Sequence, residues 1–176
     1  VNLIDTAESY GTEDIVGLAL KDLPRDQIVL ATKKGAGTST SAADMQAGMD
    51  AALQRLGTDY VDIYNLHAVV AADYAHVQNE IVPALLKFKQ QGKVRFIGVT
   101  ERFIPDPQHD MLQLALNDDV WGVMMVGFNL LNQSARDHVF LETARRGIGT
   151  LIMFAVRRAL SRPERLQEVL AELVAN

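Results

Sequence analysis

The sequence predicts an α/β fold of the (β/α)8 or TIM-barrel class, present here as an incomplete barrel of about six βα units. Short strand-like runs alternate with amphipathic helical stretches along the whole chain. The runs are mostly apolar on both faces, which is typical of parallel strands covered on both sides. The first run also lacks the GxGxxG turn expected after the first strand of a doubly wound dinucleotide-binding sheet, so the barrel is favoured over that alternative.

Six runs rich in β-branched and aromatic residues are the predicted strands. In chain order they are VNLID near Val1, IVLAT from Ile28, YVDIYNL from Tyr60, VRFIGV from Val94, WGVMMVGF from Trp121 and TLIMFAV from Thr150. Their spacing of roughly 25–35 residues is the size of one βα unit.

A helical stretch follows each strand. The predicted helices are Glu13 to Leu23, Ala42 to Leu56, about Val77 to Gln91, Met111 to Leu116, Ala135 to Arg146 and Pro163 to Val174. Pro24 follows the end of the first, and Gly92 is a C-cap signal for the third. The second has the clearest boundaries, because Ser41 and Asp44 have capping-box spacing and Gly57 ends the helix.

Composition excludes several classes of function. The 176 residues, 48% hydrophobic and 22% charged, are typical of one globular domain, and we treat residues 1–176 as a single domain. The net charge of −5 weighs against nucleic acid and acidic membranes as partners. The absence of cysteine excludes disulfide scaffolds, thiolate metal sites and cysteine nucleophiles. Neither a membrane helix nor a signal peptide is evident, so we expect a soluble, cytoplasmic protein.

The histidines do not indicate a metal site. His76, His109 and His138 lack mutual metal-ligand spacing, and we interpret them as surface or packing residues. No metal is therefore predicted, and the sequence leaves the oligomeric state open.

Four ionisable residues of four types are expected at one rim of the barrel, where βα-barrel enzymes place their functional groups. Asp5 ends the first strand, Tyr10 lies in the following loop, and Lys33 and His67 end the second and third strands. Each alone has an ordinary structural explanation, such as a helix N-cap, packing, a solvated amine or a core histidine. At this stage Lys34 also competes with Lys33 for the inward position. Their joint placement favours a catalytic site.

The chemistry of these four groups is coherent. A tyrosine hydroxyl has an ordinary pKa near 10, and a nearby ammonium is expected to lower that pKa. Asp5 would hold Lys33 charged and in position, Tyr10 would give a proton to an oxygen, and His67 would hydrogen-bond the same oxygen. The sequence offers no evident nucleophile, so an external hydride source is the natural complement.

The chain resembles the aldo-keto reductase family over essentially its whole length. The matching stretches, in order, are LIDTAESYGTEDIVGLAL (Leu3 to Leu20), VLATKKG (Val29 to Gly35), ALQRLGTDYVDIYNLH (Ala52 to His67), GKVRFIGV (Gly92 to Val99) and GFNLLN (Gly127 to Asn132). The resemblance implies catalytic roles for Asp5, Tyr10, Lys33 and His67, and it selects Lys33 over Lys34. It also implies reduction of an aldehyde or ketone, or oxidation of the matching alcohol or sugar, with NADP(H) favoured over NAD(H).

The resemblance is less regular around the expected nicotinamide. A Ser-Asn pair that binds the nicotinamide amide in the family is Thr100 and Glu101 here, so the hydroxyl remains and the amide is lost. Met125 stands where a Gln is usual. The aromatic residue that stacks on the nicotinamide aligns near Met153, with Phe154 adjacent.

One basic pair extends the expected cofactor site. Arg157, with Arg158 beside it, follows the last strand and faces cofactor phosphates if the resemblance holds there. An exposed surface pair is the equally simple interpretation. We therefore take Thr100 and Arg157 as the cofactor-binding candidates.

Two other functions remain open at this stage. A regulatory subunit of the same fold would bind the cofactor without turnover, and a Schiff-base lyase would use Lys33 as a nucleophile. The length also bears on the fold, because the barrel requires eight strands and about 250 residues. We therefore expect a barrel truncated at both ends, with its first and eighth strands absent and little activity in isolation.

Overall fold

The computed structural model describes residues 1–156 and 161–175. Six parallel strands form one sheet whose spatial order equals the chain order, β1-β2-β3-β4-β5-β6. The strands are β1 (Leu3–Asp5), β2 (Val29–Gly35), β3 (Val61–Val69), β4 (Val94–Glu101), β5 (Val123–Gly127) and β6 (Gly149–Met153). A doubly wound sheet reverses its strand order at a switch point. The order here has no reversal, so the prediction of an incomplete barrel is confirmed.

Helices connect the strands as predicted. They are α1 (Glu13–Leu20), α2 (Ala42–Leu56), α3 (Tyr74–His76), α4 (Val82–Gln90), α5 (Asp110–Ala115), α6 (Leu141–Arg146) and α7 (Pro163–Ala175). A π-helical turn (Val77–Ile81) joins α3 to α4, and a second π turn (Arg136–Phe140) precedes α6. No described helix is long and apolar enough to cross a membrane.

The capping signals explain the most accurate boundary. The Ser41 side chain accepts from the Asp44 amide while Asp44 accepts from the Ser41 amide, and Gly57 ends α2 with φ of 64°. The last strand ends earlier than predicted, because Phe154 adopts a left-handed φ of 64° that an extended strand cannot contain.

Apolar side chains pack on both faces of the sheet. The larger cluster lies between the strands and the helices and includes Leu30, Tyr64 and Phe88. A smaller cluster of Ala31, Ile63 and Val123 lies on the opposite face, which is the barrel interior. Strands that are apolar on both faces therefore reflect burial on both sides, as the sequence pattern predicted.

A buried carboxylate fixes α1 against the sheet below the site. Glu13 is 2% exposed and accepts hydrogen bonds from the Thr32 hydroxyl at 2.5 Å and from Arg55 Nε at 2.7 Å. These bonds join α1, β2 and α2, and they position the turn that carries Tyr10.

Candidate active site

The carboxyl ends of β1, β2 and β3 bring the four predicted residues to one rim. Asp5 is the last residue of β1, and Tyr10 lies in the 3₁₀ turn Glu8–Tyr10. Lys33 and His67 do not end their strands as the sequence suggested, because β2 continues to Gly35 and β3 to Val69.

Lys33 is the inward-facing lysine. It is 1% exposed, and its Nζ donates to Asp5 Oδ2 at 2.6 Å and to the Thr6 carbonyl at 2.8 Å. The Lys34 side chain lies on the opposite face of β2 and pairs with Glu8 at 2.8 Å. Alternation of side chains along the strand thus separates the two lysines.

Tyr10 lies over the ammonium of Lys33 and beside His67. The Lys33 Nζ is 5.0 Å from the centroid of the Tyr10 ring, and the His67 ring meets it edge to face at 5.5 Å. Tyr10 is 53% exposed, so its ring is open to a ligand.

The expected lowering of the Tyr10 pKa is wrong in direction. Partial burial and the negative charge of Asp5 raise the pKa of the Tyr10 hydroxyl above its ordinary value of 10. Burial disfavours the phenolate, and the carboxylate of Asp5 repels it. Tyr10 is therefore held in its protonated form at neutral pH.

His67 is held neutral by its surroundings. Burial and the positive charge of Lys33 lower the pKa of the imidazole below its usual 6.5, with Asp5 opposing them. Its Nδ1 lies 3.4 Å from the Ser9 hydroxyl, a residue of the same turn as Tyr10. A neutral imidazole carries its proton on only one nitrogen. The direction of the hydrogen bond with Ser9 therefore decides whether Nδ1 or Nε2 can donate.

A pocket of about 680 Å³ opens between these residues and the later strands. One side is polar and carries Asp5, Tyr10 and His67. The other side is predominantly apolar and consists of Phe103, Ile104, Pro105, Met125, Ile152, Met153 and Phe154, with Ala68, Thr100, Glu101 and Arg102 between the two sides.

The cofactor candidates have different environments. Thr100 is buried at the pocket edge, and its hydroxyl oxygen accepts from the Ala68 amide at 2.7 Å. Met125 lines the pocket as an apolar side chain. Arg157 lies outside the described residues.

Sequence reasoning missed a buried hydrogen-bonded pair beside the pocket. Glu101 and His109 have fully buried side chains with Nδ1 2.8 Å from the carboxylate. His109 was expected at the surface or in packing, and it is buried with its Nδ1 against the Glu101 carboxylate. The two residues are eight positions apart across an irregular loop, where no periodic pattern signals a contact.

Backbone strain clusters at the same place. Ala68, His109 and Phe154 are the non-glycine residues with left-handed φ among those described. Ala68 and Phe154 line the pocket, and His109 is paired to Glu101. Such conformations are costly and concentrate at functional sites. Within the same described ranges, no group of three or more His, Asp or Glu side chains could hold a metal ion.

Comparison with known proteins matches the chain to one family. The aldo/keto reductase family model matches residues 1–168. L-galactose dehydrogenase of Arabidopsis thaliana is 40% identical over 108 residues, covering 57% of this chain and 34% of that protein. An NADH-specific methylglyoxal reductase of Escherichia coli is 38% identical over 118 residues, covering 56% of this chain and 36% of that protein.

A solved structure has the same fold. The holo form of an aldo-keto reductase from Bacillus halodurans superposes with a TM-score of 0.76 at 28% identity, covering 93% of this chain and 56% of that one. The chain thus spans little more than half of that structure, and its matched part spans about a third of the two curated relatives.

Proposed function

Because the chain belongs to the aldo/keto reductase family, we propose that the protein is an NAD(P)H-dependent oxidoreductase. It would reduce an aldehyde or ketone, or oxidise the matching alcohol or sugar. The observation that carries this proposal is the ion pair of the buried Lys33 with Asp5, which lies beneath Tyr10 and beside His67 at the wall of one pocket.

The lining of the pocket fits a nicotinamide ring next to a carbonyl group. Met125, Met153 and Phe154 offer an apolar surface for a flat ring, and the polar side offers groups that can donate a proton. When bound, the nicotinamide supplies a hydride to the carbonyl carbon. Thr100, at the pocket edge, and Arg157 are the residues of this chain that we propose to hold the cofactor.

Tyr10 would supply the proton. As the carbonyl carbon accepts the hydride, the π electrons of the C=O bond move to oxygen, and the Tyr10 hydroxyl gives its proton to that oxygen. An alkoxide is a far stronger base than a phenolate, so a tyrosine with a raised pKa remains a competent donor. The Lys33 ammonium below the ring would stabilise the phenolate that is left.

His67 would orient the substrate. If the Ser9 hydroxyl donates to Nδ1, the proton of the neutral ring lies on Nε2, which can then donate to the substrate oxygen. This hydrogen bond strengthens as negative charge develops on the oxygen.

The choice of cofactor is part of the proposal. The family resemblance favours NADP(H), whereas one similar protein is NADH-specific by name. Fluorescence titration of the protein with NADPH and NADH measures the two dissociation constants directly. A lower value for NADPH is the expected result.

A second candidate is a regulatory subunit that binds the cofactor without turning over. Two residues favour the regulatory subunit. Met125 stands where a Gln is usual, and the Glu101 carboxylate already accepts from the Gly127 amide, so both depart from the expected nicotinamide contacts. The complete quartet of Asp5, Tyr10, Lys33 and His67 favours an enzyme. A Schiff-base lyase is disfavoured because Asp5 and the Thr6 carbonyl already engage the Lys33 Nζ.

Steady-state oxidation of NADPH with a panel of aldehydes tests the proposal. The complete gene product should consume NADPH in proportion to the alcohol formed. Cofactor binding without consumption by any aldehyde or ketone of the panel would favour the regulatory subunit.

A further inference from the structure

The loop between β4 and α5, residues 102–109, forms part of the apolar pocket wall. Phe103, Ile104 and Pro105 of this loop line the pocket opposite Tyr10 and His67. The loop has no regular hydrogen-bonded ladder. Backbone turns shape the loop, since the Asp106 amide donates to the Phe103 carbonyl and the His109 amide donates to the Asp106 carbonyl. Side-chain contacts at its two ends also hold it.

A buried pair holds both ends of this loop. Glu101, the last residue of β4, accepts from His109 Nδ1 at 2.8 and 3.0 Å and from the Gly127 amide at 2.7 Å. His109 Nε2 lies 3.0 Å from the Ser134 hydroxyl. The pair thus joins the loop to the end of β5 and to the segment before α6.

The hydrogen bonds of this pair do not reach the catalytic candidates. Both side chains are fully buried, and buried polar groups are costly unless they are hydrogen-bonded. The carboxylate accepts from two donors, His109 Nδ1 and the Gly127 amide, so both of its oxygens have a partner. The pair therefore holds together the segments that it joins.

The His109 ring also contacts Phe103, which lines the pocket. The Phe103 ring stacks on the His109 ring at 5.6 Å with an angle of 21°, and Phe154 contacts it at 5.7 Å. A Cβ at Gly127 would lie 2.2 Å from the Phe103 ring, so only glycine leaves room for it. His109 on one side and Gly127 on another thus fix the ring at the pocket wall.

We propose that Phe103 is a specificity-determining residue and that His109 is the positioning residue that holds it. The wall that they build selects carbonyl compounds with an aromatic substituent over small aliphatic ones. This inference rests on the proposed reductase function, because it concerns the substrate of the same site.

The test compares benzaldehyde with propanal as substrates of the complete gene product. For Phe103→Ala we expect kcat/KM to fall at least 10-fold with benzaldehyde, mainly through KM, and less than threefold with propanal. A pocket contact of this size typically changes selectivity by about 10–200-fold. The matched control is Phe128→Ala, since Phe128 is also half-buried but packs on Phe140 at 5.2 Å, outside the pocket lining.

The role of His109 is tested by His109→Gln, which keeps a side-chain N–H for Glu101 but removes the ring under Phe103. We expect the same selective loss with benzaldehyde, and no further loss when Phe103→Ala is added to it. Additive losses in the double variant would show that His109 does not act through Phe103. A misfolded His109→Gln protein would leave the Phe103→Ala result as the deciding measurement.

Fluorescence titration with NADPH provides a readout that is independent of turnover. The dissociation constant of NADPH should change less than threefold in Phe103→Ala. If this dissociation constant rises 10-fold while kcat/KM falls equally with both aldehydes, Phe103 is a cofactor contact and the inference is overturned. The inference is also overturned if the ratio of kcat/KM for benzaldehyde to kcat/KM for propanal is the same in Phe103→Ala as in the wild type. Failure of the wild type to reduce either aldehyde would instead count against the reductase function itself.

Discussion

The ammonium of Lys33 lies 2.6 Å from the Asp5 carboxylate, although the two residues are 28 positions apart in the chain. Parallel pairing of β1 with β2 brings them together, since Asp5 pairs with Ala31 and the side chain of Lys33 continues on the same face of β2. The pair is asymmetric, with the lysine side chain 1% exposed and the aspartate side chain 32% exposed. The positive charge is therefore fixed inside the site while its partner remains in contact with water.

Lys33→Met should lower kcat for aldehyde reduction by about 10²-fold or more, because the phenolate that Tyr10 leaves would lose its stabilising charge. The matched control is Lys34→Met, which removes only the half-exposed pair with Glu8. Such pairs contribute about 0.2–1 kcal/mol, so kcat should stay within threefold. Equal losses in both variants would contradict the role of Lys33.

The pH profile of kcat/KM should reflect the raised pKa of Tyr10. The donor must be protonated, and its pKa lies above 10 because of burial and Asp5. The rate of reduction should therefore be level from neutral pH to at least about pH 10 and fall beyond. Asp5→Asn removes a repelling negative charge, so the alkaline limb should move to lower pH. An alkaline limb of Asp5→Asn at higher pH would contradict this electrostatic explanation.

The acid side of the same profile should reflect His67. Its pKa is lowered below 6.5 by burial and Lys33, so the neutral ring persists to a lower pH than in a free histidine. The acid limb should lie below pH 6.5, and Lys33→Met should move it upward. Residual activity of Lys33→Met at several pH values measures this shift, and a downward shift would contradict the assignment.

Gly17→Ala should destabilise the fold through a contact of α1 with α2. The new Cβ would lie 2.3 Å from the Arg55 carbonyl oxygen, which belongs to the backbone and cannot move aside. Overpacking of this kind costs about 1–3 kcal/mol in the free energy of unfolding, more than the helix propensity that alanine gains. Gly35→Ala is the control, because nothing lies within 4 Å of its new Cβ. Urea denaturation of both variants should show a lower midpoint for Gly17→Ala alone.

Ser41→Ala should lower the free energy of unfolding by about 1 kcal/mol, since it removes the side-chain acceptor of the capping box at the start of α2. Ser39→Ala, in the same loop and exposed, should change stability by less than about 0.5 kcal/mol. Thermal unfolding followed by circular dichroism compares the two. An equal decrease in both variants would mean that the loop, rather than the cap, is responsible.

The fold was largely predictable because its signals are local. Runs apolar on both faces indicated the six strands, and Ser41, Asp44 and Gly57 marked α2 at both ends. The early end of β6 was not predictable, because no residue type in the run TLIMFAV indicates the left-handed φ of Phe154.

The proximity of Asp5, Tyr10, Lys33 and His67 was predictable, and their electrostatics less so. The predicted strand ends indicated Asp5, Lys33 and His67, although β2 and β3 continue beyond Lys33 and His67. The family resemblance selected Lys33 over Lys34. The direction of the Tyr10 pKa shift depends on burial and on the negative charge of Asp5, which residue spacing does not encode. The contact of Glu101 with His109 was not predictable either, since a hydrogen-bonded pair across an irregular loop follows no period.

The central claim is that Tyr10 gives the proton in carbonyl reduction, and Tyr10→Phe in the complete gene product tests it most directly. Removal of the hydroxyl leaves the ring that contacts Lys33 and His67, so NADPH should bind with an unchanged dissociation constant. The turnover number for aldehyde reduction should fall by about 10²-fold or more. A variant that keeps more than about a tenth of the wild-type turnover would contradict the claim.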